Sequence, residues 1–387
     1  MKKIFVTVIM VCVVALVLAG ATAYMMQQKK VAEQLRLTTQ AEEKIAAGDI
    51  DGGLQLLKRV DSQGATAPPR TVYLLGKTLY ERGRHSEAMA YFKRLDQQYP
   101  KSPYAPDVLL YQARYVLEVE GKASAAKEQF LKLIERYPDS NAADFALYYL
   151  ARISRDEGDD KLARQNLEII LKRPDSPARN EAEFLLGELN MKQLRSPEPG
   201  PDDILYTIKR GDSIWKLERQ LKVPGDLIVG INNLNPKALP VGVQIKVPKI
   251  NPSIVIDKGQ RTLTLKNNGV FLKKYRVGIH RVETRVPAGE YTIQEKYEKG
   301  TDYTDPASGA VIKAGDPANP LGSRFLQLRR DMGIHGTNVP ERVGTYTDVG
   351  WITMSNADIE EIYSLVRKGT PVSIKGKNIL EGSSGSK

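Results

Sequence analysis

The sequence contains almost no cysteine, because Cys12 is the single one among 387 residues. Segments after position 12 therefore cannot form disulfides, and each folded domain has to be stabilised by packing alone. Thiol catalysis is excluded from those domains for the same reason, since the attacking group is a cysteine thiolate. Cys12 lies in an apolar stretch and lacks the small residues that precede a lipidated cysteine, so it does not predict an acylated anchor.

The N-terminus carries a long uncharged run, residues 4–26, between the lysine pairs 2–3 and 29–30. The run is long enough to cross a bilayer as one helix. It predicts a signal anchor over residues 1–30, with a single membrane pass and the bulk of the chain outside the cytoplasm, in the periplasm or cell wall. A cleaved signal peptide is the alternative, because Ala21-Thr22-Ala23 has the small-x-small pattern of a processing site.

The remaining composition is that of a packed multidomain protein, with 41% hydrophobic residues. The positive charge is distributed unevenly along the chain. Lys and Arg against Asp and Glu number 29 and 28 over residues 1–204, 8 and 3 over 205–250, and 20 and 15 over 251–387. A basic C-terminal half suits anionic wall polymers or acidic membrane surfaces, and the alternative is a solubilising surface without a partner.

Residues 33–195 repeat a short punctuation motif at a nearly fixed interval. Tyr99-Pro100, Tyr137-Pro138 and Arg173-Pro174 are spaced 38 and 36 residues apart, and a weaker copy lies at residues 60–62. Each is followed by apolar residues at helical spacing, as in a helix-turn-helix unit. The period resembles that of envelope tetratricopeptide proteins, and it predicts an all-α array of stacked helix pairs. Such an array either binds a protein partner or serves as a rigid spacer.

Two segments are predicted to lie outside the folded domains. Residues 196–203 hold three prolines and a glycine, which predicts a stiff linker and a domain boundary. The last segment, residues 376–387, is rich in glycine and serine and predicts a flexible tail.

Residues 204–249 follow the order strand, helix, helix, strand. Tyr206 and Ile208 alternate as in a strand, Asp212 or Ser213 is placed to cap a helix, and Pro224 is placed to start a second one. The whole segment resembles a LysM domain, a small α+β module.

The LysM resemblance implies a groove that binds glycans containing N-acetylglucosamine. Carried onto this chain, the groove is lined on its two sides by Gly211, Asp212, Ser213 and Ile214, and by Asn232, Asn233, Leu234 and Pro236. In the alternative interpretation these residues serve only as a helix cap and a turn.

From residue 252 to 375 the sequence is rich in short alternating strands separated by glycine turns, and it predicts a mainly-β, sandwich-like domain with a helix near residues 358–366. Residues 287–293, 319–322, 333–338 and 350–356 resemble parts of the catalytic domain of the L,D-transpeptidases of bacterial cell walls. That family reads Ser-x-Gly-Cys-x-Arg-Met where this chain has Asp348, Trp351 and Thr353 at the Ser, Cys and Arg positions.

The resemblance therefore implies a catalytic pocket without its nucleophile. An indole can neither attack a carbonyl carbon nor leave an acyl-enzyme, and loss of a catalytic nucleophile costs on the order of a million-fold in turnover. We interpret the domain as a pseudoenzyme whose pocket Trp351 fills or remodels. The vestigial pocket consists of His335, Gly336, Thr337, Asp348, Gly350, Trp351 and Thr353.

In the family the histidine matching His335 takes part in the active site, and the amides of Gly350 and Trp351 match those that hold the oxyanion. Without a thiol, we interpret His335 as a structural residue. Sequence spacing does not show that His280, His335 and Asp348 converge, so we predict no metal site, and we expect no cofactor and no nucleic-acid partner.

The leading hypothesis is a membrane-anchored, extracytoplasmic protein that binds peptidoglycan, including its glycan and possible stem-peptide contacts. One alternative is an enzyme of the same family with residual or altered activity on stem peptides, using His335 and Asp348 to activate water. The other is an interaction platform through the helical repeats.

Overall fold

The computed structural model describes residues 2–62, 67–200 and 202–379, with side chains described from Leu18 onward. These residues fall into two compact units, Met1–Arg179 and Asn180–Lys387.

The first unit is helical throughout its described elements. They are α1 (Lys2–Ala46), α2 (Ile50–Ser62), α3 (Pro69–Glu81), α4 (His85–Gln98), α5 (Ala105–Glu118), α6 (Ala123–Arg136), α7 (Asn141–Asp156) and α8 (Asp160–Leu171).

The helices of this unit pack as the repeat predicts. The pairs α3–α4, α5–α6 and α7–α8 turn at Gly83, Gly121 and Gly158, whose φ angles are +75°, +68° and +85°, a conformation that glycine adopts without strain. Between pairs, Phe130 and Tyr149 stack with ring centroids 5.3 Å apart. Each pair thus buries its apolar face against the next, and the predicted helical array is confirmed.

The described residues do not contain the predicted membrane helix. Within the described residues, no helix is long and apolar enough to cross a membrane. Much of the apolar run at residues 4–26 lies among residues 1–17, whose side chains are outside the description.

The second unit contains four described helices and all the described strands. The helices are α9 (Arg179–Arg195), α10 (Ile214–Leu221), α11 (Gly225–Asn232) and α12 (Asn356–Leu365). The strands are β1 (Ile204–Thr207), β2 (Gln244–Val247), β3 (Pro252–Asp257), β4 (Thr262–Asn267), β5 (Val270–Arg276), β6 (Gly278–His280), β7 (Gly289–Thr292), β8 (Glu295–Tyr297), β9 (Tyr303–Thr304), β10 (Val311–Ile312), β11 (Phe325–Arg329), β12 (Met332–His335), β13 (Tyr346–Thr347), β14 (Ile352–Thr353) and β15 (Pro371–Lys375).

The strand pairing supports the predicted domain types. Antiparallel β1 and β2, with α10 and α11 between them in the chain, form the small module. The larger domain has a five-stranded sheet in the order β5-β4-β3-β15-β7 and a six-stranded sheet in the order β13-β6-β14-β12-β11-β8. The helix predicted near residues 358–366 is α12.

One row of residues crosses the six-stranded sheet at the predicted pocket. Tyr297 lies opposite Phe325, Phe325 opposite His335, and His335 opposite Thr353, which in turn lies opposite Gly278. Residues directly opposite each other place their side chains on the same face of a sheet. The sheet register therefore brings His335 and Thr353 together, although they are distant in the chain.

The predicted linker, residues 196–203, is held against the small module. Lys246 in β2 is 5% exposed, and its ammonium group donates to the carbonyls of Leu194, Ser196 and Glu198 at 3.3, 2.9 and 3.1 Å. It also pairs with Asp203 at 3.1 Å. The linker contains no helix or strand among its described residues.

The compact units divide before that linker, between Arg179 and Asn180, because α9 packs on the larger domain. Asn190 donates to the Leu272 carbonyl at 2.9 Å. A Cβ on Gly187 would lie 3.0 Å from the Cα of Lys273, so the helix backbone approaches edge strand β5 closely.

The start of the predicted flexible tail is also tied to the domain. The Asn378 side chain donates to the carbonyls of His280 and Arg281 at 3.0 and 2.9 Å, and the Ile379 amide donates to the Tyr346 hydroxyl at 2.7 Å. Asn378 and Ile379 are therefore hydrogen-bonded to the domain, and residues 380–387 lie outside the description.

Candidate functional site

His335 is the centre of the predicted pocket, and it is completely buried at the end of β12. Its Nδ1 lies 2.6 Å from the carbonyl oxygen of Gly336, and its Nε2 accepts the backbone N–H of Trp351 at 3.1 Å. These partners assign the proton to Nδ1 in a neutral ring. Burial, with a smaller effect of the Arg342 charge, lowers the pKa of His335 to about 4. The imidazole is thus neutral, and both nitrogens are bound to the backbone.

Gly350 makes this arrangement possible. Its φ angle is +71°, and a Cβ at this position would overlap Nε2 of His335. Both the backbone conformation and the space therefore require glycine. The Gly350-Trp351 turn lies directly against the imidazole.

Trp351 occupies the position of the expected nucleophile with its ring packed into the domain. The indole is half-buried and lies edge-on to Phe325 and His335, with ring centroids 5.8 and 6.1 Å apart. Its carbonyl accepts the N–H of His280 at 2.9 Å. The indole thus fills part of the space beside His335.

Thr353 and Asp348 differ in their surroundings. Thr353 is fully buried, and its hydroxyl has no hydrogen-bond partner among the described residues. Asp348 is mostly exposed and pairs with Arg281 at 2.8 Å. The structure therefore brings Thr353, Gly350 and Trp351 to His335, while the Asp348 carboxylate pairs with an exposed arginine.

Gly336 and Thr337 form the turn that follows His335. A Cβ on Gly336 would lie 3.1 Å from the Ser323 amide and 3.2 Å from Ile359, so this turn is closely packed. The Thr337 hydroxyl accepts the Val339 amide at 3.0 Å. Gly336 and Thr337 thus both make close contacts within the domain.

A cleft of about 430 Å³ opens next to this turn but is not lined by His335 or Trp351. Its lining includes the polar residues Lys299, Asn319, Ser323, Arg324 and Asn356. A ligand in this cleft would therefore not contact the imidazole of His335.

The first predicted side of the glycan groove is a well-defined turn. Gly211 has a φ angle of +88°, and the Asp212 carboxylate accepts the Tyr206 hydroxyl at 2.9 Å and the Lys209 amide at 2.7 Å. Ser213 caps α10 by accepting the Lys216 amide at 3.3 Å. The Asp212 and Ser213 side chains thus stabilise the turn, and the backbone around Gly211 stays exposed.

On the second side of the predicted glycan groove, some residues are bound within the fold and others are exposed. The Asn232 side chain donates to the carbonyls of Ile228 and Lys246 at 2.9 and 2.7 Å and accepts the Lys246 amide at 2.8 Å. Asn233 is exposed and left-handed at φ +48°. Pro236 is exposed, whereas Leu234 packs against the core. Asn232 is therefore a structural residue here, and Asn233 and Pro236 remain open to a ligand.

Two residues of this region were not assigned from the sequence. Trp215 lies in α10 and is 63% exposed. Lys296 is largely buried and donates to the carbonyls of Tyr363 and Val366 at 2.7 and 2.8 Å, while its ammonium lies 3.4 Å from Asp226 in α11. The sequence places Trp215 beside the predicted groove, but the Lys296 contacts depend on tertiary structure.

The site shows no grouped metal ligands. Among the described residues, no three His, Cys, Asp or Glu side chains are placed to hold a metal ion.

Three family models match the chain, and two of the matched ranges overlap over residues 206–214. A YkuD model, described as an L,D-transpeptidase catalytic domain, matches residues 251–374, and a LysM domain model matches residues 206–248. A YfiO model, described as an outer membrane lipoprotein, matches residues 65–214.

Individual proteins match the C-terminal part. The putative L,D-transpeptidase YkuD of Bacillus subtilis is 28% identical over 178 residues, which cover 44% of this chain and 98% of that protein. The putative L,D-transpeptidase YqjB of the same organism is 28% identical over 134 residues, or 33% of this chain and 73% of that protein.

Solved structures are more distant. An L,D-transpeptidase from Mycobacterium smegmatis has 19% identity and a TM-score of 0.28, with 36% of this chain and 65% of that chain covered. The catalytic domain of an E. faecium L,D-transpeptidase has 21% identity and a TM-score of 0.27, with 32% and 96% covered. By its sequence matches, the chain carries an L,D-transpeptidase-type domain at residues 251–374, preceded by a LysM domain and a YfiO-like helical region.

Proposed function

We propose that this protein binds peptidoglycan in the bacterial cell envelope and that its L,D-transpeptidase-type domain does not catalyse thiol-dependent transpeptidation. The absence of thiol-dependent catalysis is inferred chiefly from the hydrogen bond that the Trp351 amide donates to His335 Nε2. The only nitrogen of a neutral imidazole that could accept a proton is thereby bound to the backbone, and the chain has no cysteine after Cys12.

The geometry gives no support to a water-activating enzyme. A general base has to be within hydrogen-bond reach of the proton it removes, either directly or through one water. His335 is completely buried, and Asp348, the other predicted participant, pairs with Arg281. Neither group is presented to a substrate in the manner that this reaction needs.

Glycan binding is supported by the LysM match and by the fixed position of that module. The module and the larger domain share one hydrophobic core, to which Ile228 and Ile245 contribute from the first and Ile254 and Ile362 from the second. Lys296 adds a polar connection to α11. A glycan bound by the LysM domain would therefore be held at a fixed orientation to the L,D-transpeptidase-type domain.

We further propose that residues beyond about 30 lie outside the cytoplasm. The support is the uncharged run at residues 4–26 between two lysine pairs, which suits either an anchor or a cleaved signal peptide. Protease digestion of intact spheroplasts tests the location: degradation of the bulk of the chain is expected, and full protection would contradict it.

Sedimentation with purified sacculi tests the binding. The wild-type chain should sediment with sacculi, and Asn233→Gly combined with Pro236→Ala should weaken this, because both side chains are exposed. Glycine keeps the left-handed backbone at position 233 unstrained. Val270→Ala, at a residue 70% exposed on the other domain, is the control. A wild-type chain that remains in the supernatant contradicts the proposal.

The helical array provides a second candidate function, an interaction platform. A cleft of about 370 Å³ in this unit is lined by apolar side chains that include Met89, Leu109 and Val116. Such a cleft suits an apolar side chain of a protein partner. Envelope proteins retained by the full chain but lost from a Leu109→Ser variant would support this role, and equal retention by both would remove it.

A further inference from the structure

Trp215 is unusual because a large aromatic ring is left in solvent. It lies in the first turn of α10 and is 63% exposed, although tryptophan normally buries most of its surface. The fold does not use the ring for its core, and the ring is not among the side chains that pack against that core. An exposed aromatic of this size is typical of a binding surface.

The ring is held in place by Arg219, one helical turn further on. The guanidinium carbon lies 4.7 Å from the centre of the indole, a distance at which a cation and an aromatic face attract each other. This contact, about 0.5–1 kcal/mol at an exposed site, favours one orientation of the ring while most of its surface stays in water. Trp215 thus combines exposure with a preferred orientation.

The surroundings of the ring are basic. Lys216, Arg219 and Lys222 all lie in or next to α10, and none of them takes part in an ion pair recorded for the described residues. Lys216 instead donates to the carbonyl of Gly211 at 2.7 Å. Glu218 in α10 accepts the Gly225 amide at 3.2 Å and offsets one of these three charges. The remaining positive excess favours a ligand that carries anionic groups.

The ring also continues one side of the predicted glycan groove. Gly211 to Ile214 directly precede Trp215, and the Ser213 cap fixes the start of the helix relative to that turn. A pyranose ring has one face of C–H groups, and such a face packs well on an indole. The hydroxyls and carboxylates of the same polymer then lie within reach of arginine and lysine.

We propose that Trp215, supported by Arg219, is a stacking subsite for one sugar ring of a glycan strand that bears carboxylates, as the strands of peptidoglycan do. This subsite extends the groove of the proposed function, on which it rests. It distinguishes peptidoglycan strands from a neutral polymer of N-acetylglucosamine by charge as well as by shape.

Fluorescence of a single tryptophan tests the subsite directly. The chain has two tryptophans, so Trp351→Phe leaves Trp215 as the only indole. Addition of soluble peptidoglycan glycan strands to the full-length variant should change its emission in a saturable way. Unchanged emission at concentrations that saturate binding in the sacculus assay contradicts contact with Trp215.

Affinity measurements provide the second test. Trp215→Ala in the full-length wild-type background should weaken binding to glycan strands roughly tenfold, the order expected for loss of one aromatic contact, and Trp215→Phe should retain most of it. Arg219→Gln should weaken binding to the strands more than binding to chitin oligomers. Val270→Ala should change neither, and equal melting temperatures would show that all variants are folded.

The outcomes separate this inference from the proposed function. If sacculi bind the wild-type chain, Asn233→Gly with Pro236→Ala weakens binding and Trp215→Ala does not, the groove stands and the subsite fails. If the wild-type chain does not bind sacculi, both fail. If Trp215→Ala reduces sedimentation with anionic lipid vesicles but not with sacculi, the ring serves a membrane surface and the subsite is also wrong.

Discussion

Gly350→Ala tests the closest contact of the candidate site. The substitution places a methyl group where it would overlap Nε2 of His335, at a backbone φ of +71°. The left-handed conformation alone costs an alanine about 1–2 kcal/mol, and overpacking adds about 1–3 kcal/mol. We therefore expect a loss of about 2–5 kcal/mol in the free energy of unfolding.

Gly344→Ala is the matched control for this prediction. Gly344 has a similar φ of +82°, but a Cβ there would meet no atom within 4 Å. Gly344→Ala should lower the free energy of unfolding only by the cost of the left-handed backbone conformation, about 1–2 kcal/mol. Calorimetric unfolding of the full chain measures both, and each kcal/mol lowers the midpoint of a unit of this size by roughly 2–4 °C.

A double variant identifies the atom responsible. If the imidazole causes the additional loss, combining Gly350→Ala with His335→Ala should cost less than the sum of the two single changes. Equal effects of Gly350→Ala and Gly344→Ala would refute the close approach of His335 and with it the argument that Nε2 is taken up by the turn.

Three further predictions concern chemistry, pH and the linker. The wild-type chain should give no cross-linked or hydrolysed muropeptide and no covalent acyl adduct on residues 251–374 by mass spectrometry, because that domain contains no cysteine thiolate; any adduct on these residues would overturn the pseudoenzyme interpretation. Because the pKa of His335 falls from its usual 6.5 to about 4 on folding, the unfolded chain binds more protons between these values. Stability should therefore fall by about 3 kcal/mol as the pH drops through that window, with none of this loss above it. Chemical denaturation at several pH values should show a shallower slope for His335→Gln, and identical slopes would count against the buried neutral ring. Lys246→Met should destabilise the second unit by about 3–5 kcal/mol, because it leaves the Asp203 charge and three carbonyls without their partner. Exposed Lys249→Met should have little effect, and faster proteolysis at residues 196–203 in the first variant alone would locate the change.

Much of the fold could be predicted from the sequence, because the patterns that indicate helices and strands are local. The Pro motifs at residues 100, 138 and 174 indicated the ends of the helix pairs, since a proline beyond the first turn of a helix removes a backbone hydrogen bond and ends or kinks that helix. Alternation around Ile254 to Ile256 and Leu263 to Leu265 gave paired strands, because the two faces of a sheet alternate along the chain. The strand, helix, helix, strand order of residues 204–249 followed from the cap at Asp212 or Ser213 and the spacing of the apolar residues, whereas the LysM assignment rested on resemblance.

The predicted boundary shows where local information was insufficient. The three prolines in residues 196–203 predicted a segment without helix or strand, as the structure has it among the residues it describes. They could not predict that Lys246, some fifty positions later, would bind that segment. The same holds for Asn232, which the resemblance placed in a groove and the structure places in three backbone hydrogen bonds.

The sequence by itself determined what this protein lacks: with no sulfur atom after Cys12 except in methionine, thiol catalysis is excluded whatever the fold. Tertiary structure alone decided the state of His335, because its burial, its neutral charge and the engagement of both nitrogens come from strands and turns that are remote in the chain. Composition fixes which atoms are present, whereas the environment that sets a group's protonation and accessibility exists only after the chain has folded.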